Sequence, residues 1–102
     1  MILIYCTHKN KEEAEKIAKH LLEKKLIACA NFLPIESAYL WKGKVESGKE
    51  YVSLLKTQEK HWSRVKEEIE KIHPYEIPCI LKIHVEANSS FEKWIQEETQ
   101  EK

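Results

Sequence analysis

Aspartate is absent from this chain and Arg64 is its only arginine, so lysine and glutamate carry nearly all of its charge. The two signs cancel, 17 against 17, which excludes a net field favouring nucleic acid or an anionic membrane. Two glycines and three prolines are too few for a low-complexity or disordered segment. The three cysteines lie far apart, with no Cys-x-x-Cys pair. The chain opens directly on Ile2-Leu3-Ile4-Tyr5, with no signal peptide, so the odd count predicts reduced thiols in a cytoplasmic protein. No apolar run approaches the ~20 residues of a membrane span. A chain of 102 residues has room for one core, so residues 1–102 are expected to form a single domain. The Lys/Glu bias follows the composition of hyperthermophile proteins and predicts thermostability, although an AT-rich genome also favours lysine codons.

What is present reads as a clear succession of periods. Met1 to Thr7 is rich in Ile, Leu and Tyr and predicts a buried strand. Asn10 with Glu13 forms a capping box, followed by an apolar helical stripe of Ala14, Ile17, Ala18, Leu21 and Leu22. Leu26 to Phe32 predicts a strand that Pro34 interrupts and that resumes through Ser37, Tyr39 and Trp41. Lys42-Gly43-Lys44 offers a turn, and Val45 to Lys56 predicts a strand with a bulge, a second bend or a loop tip at Gly48. Thr57 is placed to cap a second helix, whose stripe is Trp62, Val65, Ile69 and Ile72. His73-Pro74 ends that helix, because proline disfavours helical geometry at the residue before it. Pro78 opens the last strand, and Ser89 with Glu92 starts a short final helix with Phe91, Trp94 and Ile95 inward. The order βαββαβ predicts an α+β, ferredoxin-like fold: an antiparallel sheet, both main helices on one face, and a short C-terminal helix.

Several strings carry a resemblance. Lys25-Leu26-Ile27-Ala28-Cys29-Ala30-Asn31, the S-x-Y-x-W-x-G-K run from Ser37 to Lys44, and Leu54-Leu55-Lys56-Thr57 after Glu50 are similar to segments of the CutA proteins. His73-Pro74-Tyr75-Glu76-Ile77-Pro78 resembles that family's H-P-Y-E-x-P segment, and Trp94 its C-terminal helix tryptophan. The likeness runs nearly end to end. It implies a homotrimer of ferredoxin-like subunits, similar in architecture to the PII signalling proteins. It also implies a role in tolerance to copper and other divalent cations, with no specific catalytic reaction.

Within that resemblance Cys6 matches a cysteine implicated in copper binding, and His73 matches a second ligand position. Some relatives carry a further histidine just before it, where this chain has Ile72. His8 shares the face of Cys6 if the strand continues, and could substitute. A thiolate and imidazoles suit copper or zinc. The residues also allow a plainer reading, with Cys6 as a small buried hydrophobe and His73 serving the end of the second helix. Cys29 and Cys79 sit in apolar strands and are expected in the core. His84 is expected to face solvent.

The alternative function is a PII-like signalling module. Its inter-subunit clefts, lined by Tyr39, Trp41, Lys44, Lys56 and Tyr75, would hold a small anion or a partner loop. These aromatics lack the interleaved basic groove of a nucleic-acid platform. No Gly-rich phosphate loop, zinc-finger spacing or nucleophile elbow occurs, so no enzyme reaction is expected.

Overall fold

Antiparallel pairing governs the architecture, which the computed structural model describes for residues 1–100. The strands are β1 (Ile2–His8), β2 (Cys29–Trp41), β3 (Lys44–Thr57) and β4 (Ile80–His84), in the sheet order β2-β3-β1-β4. Helix α1 (Lys11–Glu23) joins β1 to β2, and α2 (Trp62–Ile72), entered through a 3-10 turn at Glu59–His61, joins β3 to β4. A final helix, α3, covers Ser89–Glu98. This is the expected ferredoxin-like order.

Strict alternation along β1 puts Ile2, Ile4, Cys6 and His8 on the face covered by helices. Ile17, Ala18 and Leu21 of α1 and Val65 and Ile69 of α2 pack there with Leu26, Ile27 and Leu55. The stripes are narrower than the sequence suggests, since Leu22 and Ile72 are 41% and 37% exposed. Of the three expected inward residues of α3, Ile95 is fully buried while Trp94 stays 40% exposed. Glu68 of α2 ties the two main helices. It meets His20 at 2.9 Å, Lys24 at 3.6 Å and Lys71 at 3.3 Å. The hydrogen bond from His20, aided by the lysines, holds its carboxyl down to about 2.

Local signals are met with exceptions. Asn10 Oδ1 accepts the Glu13 N–H at 2.9 Å, as the capping box requires. Thr57, by contrast, is the last residue of β3 and caps nothing; its hydroxyl donates to the Leu26 carbonyl at 2.6 Å. At α3 the cap is Asn88, one residue before Ser89, while the Glu92 carboxylate accepts from Ala87 N–H. Pro34 does not interrupt β2, because β2 is an edge strand and an absent N–H can face away from its one neighbour. Gly48 makes no bulge: it pairs with Ser37 in a register unbroken from Cys29↔Lys56 to Trp41↔Lys44. The last strand begins at Ile80, two residues after Pro78.

The β2–β3 hairpin projects. Leu40 and Val45 near its tip are 73% and 79% exposed. The radius of gyration, 14.2 Å, exceeds the roughly 13 Å expected of a compact chain of this length, and the long axis reaches 45 Å. A two-residue turn closes it with positive φ at both Lys42 (52°) and Gly43 (80°), the type I′ geometry that matches strand twist.

Gly43 and Gly48 therefore respond oppositely to alanine. A Cβ at either meets nothing within 4 Å, so backbone conformation alone decides. Gly43→Ala is expected to lower unfolding free energy by about 1 kcal/mol, and Gly48→Ala to leave it unchanged or raise it by up to ~1 kcal/mol. Urea denaturation of both variants checks the pair.

Candidate metal centre

The centre forms where β1 outruns its neighbour. Pairing with β4 ends at Cys6↔Ile80, whereas pairing with β3 continues to His8↔Tyr51. Pro74 forces His73 out of helical geometry, to φ −72° and ψ 132°, and the chain turns back over the free edge of β1. There His73 Nε2 lies 2.8 Å from the Thr7 carbonyl, and the Tyr75 N–H donates to His73 Nδ1 at 3.1 Å. A carbonyl can only accept and an N–H can only donate, so His73 is neutral with its proton on Nε2. Both ring nitrogens are engaged. The His73 ring stacks on His8 at 5.3 Å between centroids and meets Tyr75 edge-on at 4.7 Å.

Cys6 and His8, two residues apart on β1, share the buried face as expected. One donor atom each from Cys6, His8 and His73 falls within 4.8 Å of the other two, and all three residues are buried. His8 Nε2 is 2.7 Å from Ser53 Oγ, while its Nδ1 is buried with no hydrogen-bond partner. A hydroxyl can donate or accept, so this bond alone does not fix the tautomer; in the form where Nε2 donates, Nδ1 is a bare lone pair. Burial, with His73 adding to it against the pull of Glu50, pushes His8 down to about 4. Burial, then the neighbouring Cys79, pushes the Cys6 thiol up to about 12, and its hydrogen sits only loosely toward the Thr7 carbonyl at 3.8 Å.

The donor set fits a soft or borderline cation. Tetrahedral bonds of about 2.3 Å to sulfur and 2.0–2.1 Å to nitrogen place donors roughly 3.5 Å apart, so the cluster needs to contract by about an ångström. His8 Nδ1 has no hydrogen-bond partner to give up, Cys6 must lose its proton, and His73 must release the Tyr75 N–H. Ile72, the residue before His73, is 37% exposed.

Beside the cluster lies a cavity of about 660 Å³, lined by Tyr39, Trp41, Tyr75, Glu50 and Cys79 among others. Tyr75 donates its hydroxyl to Glu50 at 2.6 Å; burial first, then that carboxylate, holds the phenol well above its usual range. Tyr39, Trp41 and Tyr75, expected in clefts between subunits, line this cavity within one subunit. Lys44 lies at the hairpin turn and Lys56 reaches over the Phe91 ring at 5.5 Å, so neither lines this cavity. Cys29 and Cys79 are half-buried rather than core: Ala30 and Phe32 take the inward positions of β2, and Cys79 precedes β4, whose Ile80 packs inward. His84 is exposed, 3.6 Å from Glu59. Sequence reasoning missed Ser53 and the Glu50–Tyr75 bond. No local spacing announces either, since each depends on the sheet register.

Residues 2–98 match the family profile described as CutA1 divalent ion tolerance protein. The divalent-cation tolerance protein CutA of Pyrococcus horikoshii is 45% identical over 100 residues, covering 97% of this chain and 98% of that one. The crystal structure of the periplasmic divalent cation tolerance protein CutA from Archaeoglobus fulgidus superposes with a TM-score of 0.94 at 42% identity. It covers 98% of this chain and 100% of its own. The PII-like protein CutA from Nostoc sp. PCC 7120, in apo form, superposes at 0.91 with 31% identity, covering 98% of each chain. These relatives are named for cation tolerance and PII likeness, not for a reaction.

Thiol reactivity should follow this geometry. Cys29 and Cys79 are expected to react with a thiol reagent in the folded protein, and Cys6 only after denaturation. Counting thiols before and after unfolding, with Cys6→Ser as control, gives the order.

Proposed function

The chain belongs to the CutA1 divalent ion tolerance family, and from that membership we propose that it binds divalent cations, copper foremost, as a cytoplasmic homotrimer acting in metal tolerance. One observation carries the reading: three buried donors, Cys6, His8 and His73, lie within 4.8 Å of one another, and one of them, His8, has an unpartnered ring nitrogen. Such a nitrogen is costly in a core unless something pairs with it. A cation bound there would be held by Cys6 Sγ and the His8 imidazole, with His73 as third ligand. The thiolate supplies the preference for soft metals.

The trimer is supported by what the subunit leaves uncovered. The sheet face away from the helices carries Leu33, Leu81 and Ile83, 49%, 51% and 44% exposed, and β2 offers a long unpaired edge. A cyclic arrangement of three copies would cover both. Widely spaced thiols favour the cytoplasm, although the Archaeoglobus relative is described as periplasmic. The second reading, a PII-like module, draws on the aromatic cavity and the likeness to the Nostoc protein. In one subunit Glu46, Glu50 and Glu76 line that cavity against Lys9 and Lys49, which favours a partner loop over a small anion.

Copper titration tests the first reading. Cys6→Ala and His8→Ala should each weaken binding by more than the roughly 10–100-fold typical of losing an outer-shell partner. Because Cys6 stays protonated up to about pH 12 and His8 is neutral above about pH 4, binding releases one proton, from the thiol. Affinity should then rise about tenfold per pH unit between roughly pH 5 and pH 8. A flat profile would exclude thiolate ligation. Unchanged affinity in both variants would exclude the site.

Light scattering after size exclusion should give three times the subunit mass. Trp41→Ala, at the hairpin, should lower the melting temperature and promote dissociation together. A stable monomer at micromolar concentration would remove the trimer.

A further inference from the structure

We infer that Tyr75 is the latch of the cation site: its backbone N–H fills the Nδ1 lone pair of His73, and its hydroxyl bond to Glu50 holds it there. A cation gains His73 as a third ligand only when that latch releases into the adjoining cavity. The inference rests on the cation reading of Cys6, His8 and His73.

The bonds at His73 compel the sequence of events. Nε2 carries the ring proton because the Thr7 carbonyl 2.8 Å away can only accept. A neutral imidazole does not give up that proton readily, so Nε2 is the wrong atom to ligate. Nδ1 has the lone pair, and only the Tyr75 N–H at 3.1 Å stands in front of it. Freeing Nδ1 requires breaking that bond, which means moving the backbone at Tyr75. His8 differs, since its Nδ1 is already without a partner. The resident ligands are therefore Cys6 and His8, and His73 is the conditional one.

Two contacts hold Tyr75 in place. Its hydroxyl donates to Glu50 Oε2 at 2.6 Å, a short charge-assisted bond across 25 residues of sequence. Its ring also meets His73 edge-on at 4.7 Å. A released Tyr75 has somewhere to go, because it and Glu50 line the same cavity of about 660 Å³. Its freed N–H would find water there and not be stranded in the core. The buried donors and the cavity are thereby linked. Any group that enters the cavity and takes Glu50 from Tyr75 favours three-ligand binding, and by reciprocity a bound cation favours that group.

Cobalt(II) is the probe, because its visible spectrum reports both thiolate ligation and coordination number. Titrations compare the native protein, Tyr75→Phe, Glu50→Gln, His73→Gln and the double variant His73→Gln/Tyr75→Phe, each checked by thermal melting. Tyr75→Phe keeps the ring and the backbone N–H but removes the bond to Glu50. It should bind cobalt roughly tenfold tighter, and Glu50→Gln should follow in the same direction, which keeps the test available if either variant folds poorly. His73→Gln, whose amide can still donate to the Thr7 carbonyl, should abolish that gain and lower the coordination number. Cobalt binding unchanged in both Tyr75→Phe and Glu50→Gln would overturn the latch and leave the cation site standing. A gain that survives His73→Gln would also overturn it, by showing that Tyr75 acts elsewhere. No thiolate–cobalt signal in the native protein would instead overturn the cation reading beneath it.

Discussion

The bond from His73 to the Thr7 carbonyl supports the rest of the candidate site. Strand β1 is central, but β4 accompanies it only as far as Cys6. Beyond that point a half-buried backbone carbonyl, that of Thr7, lacks a strand donor, and an unmet carbonyl costs up to roughly 1–3 kcal/mol when fully buried. A side chain supplies it, so the segment after α2 is drawn across the strand end. That single requirement brings a second imidazole against His8, places Tyr75 beside Glu50, and closes one wall of the cavity. Donor cluster and cavity are two sides of the same repair.

Buried chemistry of this kind works against ionisation. Each of Cys6 and His8 is held in its neutral form, the thiol by desolvation and the imidazole by desolvation with a second ring stacked on it. A cation that replaces the thiol proton restores charge balance locally, whereas a bare thiolate or imidazolium would not. The arrangement thus discriminates against protonated states without needing acidic residues nearby. It also accounts for a sequence whose abundant glutamates are largely uninvolved in the cluster.

Much of this was legible in the sequence, and the reasons are specific. Period-two alternation placed Cys6 and His8 on one face, and the helical stripes put both long helices over it. Proline after His73 marked where α2 stops. Other features depended on neighbours that a linear reading does not see. Pro34 is harmless because β2 is an edge, and Gly48 is regular because the whole hairpin keeps one register. Thr57 looks like a cap but spends its hydroxyl on Leu26 across the sheet. Cys29 and Cys79 lie in apolar runs, yet strand parity turns Cys29 away from the helices and Cys79 falls just before β4 begins. The pairings Glu50–Tyr75 and His8–Ser53 join residues 25 and 45 positions apart, so only the fold could reveal them.

The tie between the main helices is lopsided in a way that matters. One carboxylate, Glu68, answers His20, Lys24 and Lys71 together. Such a node is a single point of failure: with its charge gone, the attraction that Glu68 exerts on Lys24 and Lys71 is lost at once, and the two lysines are left to repel each other. Its carboxyl is held down to about 2, well below the ordinary range, so this contribution is complete above the usual carboxylate pKa and fades as acidity passes through that lower value. The seam therefore tolerates mild acid and gives way only in strong acid, an insulation gained by concentrating several partners on one anion instead of spreading them over many.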